Sequence, residues 1–246
     1  MTHLKLNCDL GEGYGVWHLG DDEQIMPLID QANIACGFHA GDPSTMLTTL
    51  KLAQANKVEI GAHPSYPDRV GFGRRSMRIA STDLYNDVLY QTSALMGMAK
   101  TLNAQVSYIK PHGALYHDML SQAETYQALL QVAKDCGLKL MVPAGATTEL
   151  MCEQAAQKNV ELLFEAFADR RYTQHKTLLA RAQRGAVLSK SEMLEQARLL
   201  LTEGRVVSDC GATLYLQADT LCVHGDSPSA LAALKEIRAL VSQYVN

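Results

Sequence analysis

Short apolar runs alternate with longer segments of helical period along the whole chain, and that rhythm limits the fold more than any other feature. The runs are "LKLNCDL" (4–10), "ANIAC" (32–36), "VEIGAH" (58–63), "VSYIKP" (106–111), "LKLMVPA" (138–144) and "VELLFEA" (160–166). A last group comprises "VVS" (206–208) and "TLCVHG" (220–225). The segments between them carry helix start and stop signals. Asp42-Pro43 offers an N-cap followed by a first-turn proline. Ser121 with Glu124, and Ser189 with Glu192, have the spacing of capping boxes. Gly137 and Gly204 stand where a left-handed C-terminal residue is wanted. Ser227-Pro228 opens a final helix in which Leu231, Leu234, Ile237, Leu240 and Val241 share one face.

Seven strand–helix units in strict alternation imply parallel strands joined by helical crossovers. The strand runs read as apolar on both parities, as in strands covered on both faces. A closed seven-stranded parallel β/α barrel suits the even spacing better than an open doubly wound sheet. No linker, repeat or low-complexity stretch interrupts it, so residues 1–246 are expected to form one barrel domain. Two connections are unusually long, roughly 64–80 and 167–188. Both follow strands, which places them at the face where such barrels keep their active sites.

Composition closes off several other classes. At 246 residues, with 47% apolar and 20% charged, the chain can bury a full core as a soluble globular protein. A formal charge of −4 without like-charge runs gives no electrostatic case for nucleic acid. The opening "MTHLKLNCDL" alternates polar and apolar residues, unlike a signal peptide, and no stretch approaches a membrane span. The six cysteines are scattered without a C-x-x-C pair, which excludes a zinc ribbon and points to reduced thiols in the cytoplasm.

Chemically capable residues gather at the strand ends. Asp9 and Glu12 follow the first strand, His39 and Asp42 the second, and His63 the third. Lys110 and His112 follow the fourth; Glu165, Asp169 and Arg170 the sixth; His224 and Asp226 the last. His39, His63, His112 and His224 each come directly after an apolar run and beside Gly or Pro, and a barrel brings such positions to one mouth. Taken singly, each has a plain reading: Asp42 as a helix cap, Glu165 and Arg170 as a loop ion pair, and His63 as a hydrogen-bonded strand end. As a set, four imidazoles and several carboxylates suit metal-assisted or general acid–base hydrolysis. Asp9, Glu12, His39, His63, His112, His224 and Asp226 are therefore the candidate catalytic residues. Lys110, Asp169 and Arg170 are the candidate substrate-binding residues, suited to a carboxylate or phosphoryl group. Asp9, His39 and His63 come from three successive strand ends and could supply three ligands to a divalent metal, or instead form a metal-free hydrogen-bonded network.

The absences matter too. There is no G-x-x-x-x-G-K-[ST] phosphate loop; "GEGYG" and "GFGRR" do not complete G-x-G-x-x-G; and no G-x-S-x-G elbow occurs. None of the cysteines is a convincing nucleophile, and Cys36, the nearest to the strand-end residues, is expected to pack in its strand.

Six blocks make the pattern specific: "LNCDLGEGYG", "ANIACGFHAGDP", "GAHPSYPDRVGFGRR", "KPHGALY", "FADRRY" and "ADTLCVHGD". In order and in sequence they resemble the LamB/YcsF family from Leu6 to about Pro228. The resemblance implies a seven-stranded β/α barrel related to metal-dependent polysaccharide deacetylases. It also implies ATP-dependent opening of the 5-oxo-L-proline lactam to L-glutamate, together with two further 5-oxoprolinase subunits. With no ATP fingerprint in this chain, ATP is expected to act through those partners. The family's "KPHGALY" is usually followed by Asn, and here by His117, which the sequence places at a helix start or in a loop. Two other readings stay open: a stand-alone metal-dependent amide hydrolase or deacetylase, and a non-catalytic substrate-binding subunit.

Overall fold

A computed structural model of the chain describes residues 4–224 and 228–244. Seven parallel strands close into a barrel: β1 (Lys5–Leu10), β2 (Gln31–Ala35), β3 (Glu59–His63), β4 (Val106–Ile109), β5 (Lys139–Pro143), β6 (Leu162–Phe167) and β9 (Thr220–Cys222). β9 pairs with both β6 and β1, so the last strand seals the ring against the first. The remaining two strands, β7 (Arg205–Val207) and β8 (Thr213–Tyr215), form a separate antiparallel pair. The "VVS" run therefore lies outside the barrel, and "TLCVHG" alone supplies its seventh strand.

The helices are α1 (Asp22–Ile25), α2 (Pro43–Asn56), α3 (Ser81–Thr101), α4 (Gly113–Ser121), α5 (Ala123–Cys136), α6 (Glu149–Gln157), α7 (Lys190–Glu203) and α8 (Pro228–Tyr244). Asp42 caps α2 through the amides of Ser44 and Thr45, with Pro43 in the first turn. Ser189 and Glu192 close a reciprocal capping box on α7, and Gly137 and Gly204 end α5 and α7 in the left-handed conformation. The box expected at Ser121 and Glu124 does not form. Ser121 is the last residue of α4, Gln122 stands before α5, and Glu124 accepts a long hydrogen bond from Ser81 instead. Ser227 lies outside the described residues. In α8, Leu234, Ile237 and Val241 are buried, with Leu231 packed beside them.

The strands are not apolar on both faces, as their runs suggest. Leu6, Cys8 and Leu10 of β1, Ile34 of β2, Ala62 of β3 and Val142 of β5 belong to the apolar core. The alternate positions carry Asn7, Asp9, Asn33, Tyr108 and Lys110, which hydrogen-bond to one another across the bore. The cause is the period-2 alternation of a pleated strand, here with its polar face turned inward.

Candidate active site at the barrel mouth

The site grows upward from the bore. Asn7 Nδ2 donates to Thr220 Oγ1 at 2.9 Å, tying β1 to β9. Asn33 Nδ2 donates to Asn7 Oδ1 (2.9 Å) and Asp9 Oδ1 (2.8 Å), and Tyr108 donates its hydroxyl to Asn33 Oδ1 at 2.7 Å. Each amide thus has its orientation fixed by neighbours on other strands. Lys110, just beyond β4, tops this column with Nζ 2.8 Å from Asp9 Oδ1 and 2.8 Å from Glu165 Oε1. Tyr116 donates to the other Glu165 oxygen at 2.6 Å. Burial opposes the ammonium charge, but Asp9 foremost, with Cys222 and Glu165, outweighs it and holds Lys110 well above its ordinary range. Burial likewise opposes the Asp9 carboxylate; His63 and Lys110 outweigh it and hold Asp9 well below the usual range.

Two different groups flank Asp9. On one side His224 Nδ1 donates to Asp169 Oδ2 at 2.6 Å, and its Nε2 stands 3.7 Å from Asp9 Oδ2. Burial disfavours a charged ring there, yet the charge and hydrogen bond of Asp169 prevail and raise the His224 pKa. On the other side lie Glu12, His39, His63 and His112. Here burial, reinforced by the neighbouring rings, pushes His39 and His112 well below the ordinary imidazole value. Burial also raises the Glu12 carboxyl. One barrel mouth therefore holds one imidazole whose pKa is raised and two whose pKa values are lowered, on either side of a carboxyl held low.

A cavity of about 560 Å³ opens over these residues, lined among others by Asp9, Glu12, His63, Lys110, His112 and His224. Arg170 also lines it; its Nη2 donates to the Leu179 carbonyl, while its buried Nε has no hydrogen-bond partner. His39 and Asp169 are absent from the lining and stand behind it, acting on Glu12 and His224. Asp226 lies outside the described residues. The donor atoms that converge are those of Glu12, His39, His63 and His112, within 4.8 Å of one another, so this group can hold a metal ion. Asp9, grouped with His39 and His63 in the sequence reading, does meet His63, its Oδ2 lying 3.3 Å from His63 Nε2, while its Oδ1 accepts from Lys110 and Asn33. Glu165 pairs with Lys110 rather than with Arg170, because the bore brings the ends of β4 and β6 together. His117 lies in the middle of α4, exposed on the cavity rim, not at a helix start. Cys36 is buried just past β2 and donates to the Ile34 carbonyl. Asn7, Asn33, Tyr108 and Tyr116 went unnoticed in the sequence. Asn7 shares a strand face with Asp9 two residues on, and that spacing was the available signal.

A closed parallel barrel with its ionisable side chains gathered at the carboxyl ends of the strands is a β/α-barrel protein equipped for proton transfer at one mouth. More particularly, the chain belongs to the LamB/YcsF family, whose model matches residues 4–245. It is 47% identical over 241 residues to a Vibrio cholerae serotype O1 protein named as the A subunit of 5-oxoprolinase, covering 98% of each chain. It is 48% identical to a Pseudomonas aeruginosa protein also named as a 5-oxoprolinase A subunit, covering 96% of this chain and 95% of that protein. The crystal structure of a lactam utilization protein from Thermus thermophilus superposes with a TM-score of 0.88 at 36% identity, covering 98% of both chains.

Proposed function

We propose that this chain works as the A subunit of a 5-oxoprolinase, opening the lactam of 5-oxo-L-proline to L-glutamate with ATP used through two partner subunits. The His224–Asp169 pair facing Asp9 over the cavity is the observation that carries this reading. Hydrolysis of a lactam adds hydroxide to the carbonyl carbon and a proton to the ring nitrogen as the C–N bond breaks. Asp9, its carboxyl held low by His63 and Lys110, accepts the proton of the attacking water. His224, kept protonated by Asp169, donates from Nε2 to the departing nitrogen. Two groups whose surroundings drive their pKa values apart are the requirement for acid and base at one pH. Arg170, with an unpartnered buried Nε, is the donor for the substrate carboxylate. Relatives named as 5-oxoprolinase A subunits support both the substrate and the need for partner subunits. Activation of a resonance-stabilised amide by ATP falls to the partners, since this sequence carries no phosphate loop.

The Glu12 and histidine group favours a second reading, a stand-alone metal-dependent amide hydrolase. One experiment separates them: glutamate release and ATP hydrolysis measured with the chain alone, the partners alone, and all together. Glutamate formed only by the complete system, with ATP, supports the subunit reading. Amide hydrolysis by the chain alone without ATP would establish the second. Unchanged turnover in a complete system carrying His224→Gln would leave the chain with a binding role only.

A further inference from the structure

Between β1 and α1 the chain forms a tight hairpin on the rim of the cavity, and its tip is apolar. Tyr14 and Trp17 exchange backbone hydrogen bonds at 2.8 and 2.9 Å, and Gly15 between them takes the positive φ that the turn needs. Val16 is 81% exposed, and Trp17, the single tryptophan of the chain, is 72% exposed. Leu19 and Gly20 carry the segment onto the cavity wall. Val70, 94% exposed, follows Arg69, whose guanidinium lies 4.1 Å over the Tyr14 ring. Five of the eleven exposed large apolar side chains among the described residues thus belong to this corner, while the others are spread from α3 to α8.

The tip is braced. Arg69 also donates to the Gly37 carbonyl, the Gly15 amide donates to Asp42 Oδ2 at 2.8 Å, and the Gly41 amide donates to the Gly13 carbonyl at 2.9 Å. A hairpin fixed from three sides holds its apolar side chains in water at a standing cost, and clustered apolar surface of this kind marks an interaction site. Trp, Tyr and Arg, which meet here, are the residue types that dominate binding energy at protein interfaces. A tip already fixed loses little freedom when it docks.

Charge around the mouth indicates what it docks against. Loops 64–80 and 167–188 hold nine of the chain's 22 lysines and arginines but two of its 26 acidic residues. Even with Arg75 paired to Asp68 and Arg171 to Glu192, the two loops keep a cationic excess. Arg74, Arg170 and Arg181 bring it to the cavity wall, and Arg78 and Arg184 present it at exposed positions. A second copy docked face to face would set these loops against their own image, since an isologous contact pairs each patch with itself. A surface with acidic side chains around an apolar recess matches both features.

We propose that segment 13–20 and the two long loops are the docking face for the ATP-using partner, with Trp17 in an apolar recess of that partner and acidic side chains around the recess facing the loops. This rests on the reading of the chain as one subunit of a 5-oxoprolinase, and adds the face used and the chemistry of the surface that meets it. A partner seated here covers the cavity, so the activated lactam passes to the mouth shielded from bulk water.

The test uses the full chain and the two purified 5-oxoprolinase partner subunits. Incorporating 5-fluorotryptophan places one fluorine in the chain, at Trp17. Adding the unlabelled partners should shift that resonance and abolish its difference between H2O and D2O, because the indole leaves solvent. Trp17→Ala, checked for a native melt, should raise the Kd for the partners at least about tenfold by calorimetry. Arg184→Glu should slow association and flatten its salt dependence. In the complete system Trp17→Ala should need more partner for half-maximal rate, yet reach the wild-type kcat once the partners saturate. Association that leaves the fluorine resonance unmoved, or a Trp17→Ala chain that binds as wild type does, overturns the docking face and leaves the subunit reading intact. A wild-type chain that binds neither partner overturns both. A resonance that moves with the concentration of the chain alone assigns the tip to a second copy and overturns the proposal.

Discussion

His224 donates through Nδ1 to Asp169 and turns Nε2 toward Asp9, so its two ring nitrogens have separate tasks. Replacing it with glutamine keeps a polar group but removes the transferable proton. The reconstituted activity should drop at least about a hundredfold, read as kcat at saturating lactam. Asp169→Asn is subtler. Burial lowers the ring's pKa and Asp169 raises it by more, so the acid is competent below the raised value and is lost as pH climbs through it. Without the Asp169 charge, burial prevails, and the alkaline limb of kcat/KM should move to lower pH. Stability follows the same signs. The His224 contribution is complete below the unfolded imidazole value of roughly 6.5 and disappears as pH rises through the folded one. Asp169, buried but held low chiefly by His224, contributes above its unfolded pKa and loses that contribution as pH falls. Urea titrations of wild type and Asp169→Asn across pH should show the difference largest between those limits. At this scale the strand-end histidines were legible, because each follows an apolar run beside Gly or Pro. The partners of Glu165 and Asp169 were not, since they come from other strands whose proximity exists only after closure.

The segment after β6 is held by a helix. Gln196 of α7 is buried, and its Nε2 donates to the carbonyls of Phe167 and Arg170, both at 2.8 Å. Asp169 sits between those two anchors. Gln196→Leu leaves buried carbonyls unpaired, at about 1–3 kcal/mol, and loosens the carboxylate that orients His224. A lower melting temperature should come with an alkaline limb displaced in the same direction as in Asp169→Asn, which a merely destabilised protein would not show. Asp42 offers a second test. Amide hydrogen bonds, that of Gly15 foremost, hold its carboxyl down at about 2, so acid removes its contribution as pH falls from the unfolded value toward that point. Asp42→Ala should cost about 1 kcal/mol at neutral pH as a lost cap, and less at pH 2, by chemical denaturation. Caps of this kind were readable because they are local: a side chain and amides two or three residues on. Ser121 and Glu124 have the right spacing, but α4 continues through Ser121 and Gln122 takes the position before α5. β7 overlaps the "VVS" run but was grouped with the last barrel strand, and β8 escaped notice because its three residues are too few to show a period.

Across the whole molecule, the bore leaves no spare volume where Gly61 lies beneath Tyr108. A Cβ built on Gly61 would stand 2.0 Å from Tyr108 Cε2, in a ring whose hydroxyl is already engaged by Asn33. Gly61→Ala should therefore destabilise the barrel by about 1–3 kcal/mol from overpacking, measured by urea unfolding, while Tyr108→Phe, which frees the Asn33 acceptor, should lose less. The seven-fold alternation made the barrel legible from composition and period alone. The inward turn of the polar face was not, because apolar residues flanking each strand made the runs look uniformly greasy, and only the cross-strand hydrogen bonds reveal which parity is inside. The closure of β9 against β1 has a consequence for biosynthesis. Asp9 leaves the ribosome 215 residues before His224, a delay of roughly 10–40 s at ordinary synthesis rates. Throughout that interval the nascent chain holds Asp9 without His224, and Asn7 without Thr220. Under the proposed acid–base roles a complete mouth thus arrives only with the final strand, so a chain released early from a stalled ribosome lacks one half of the pair.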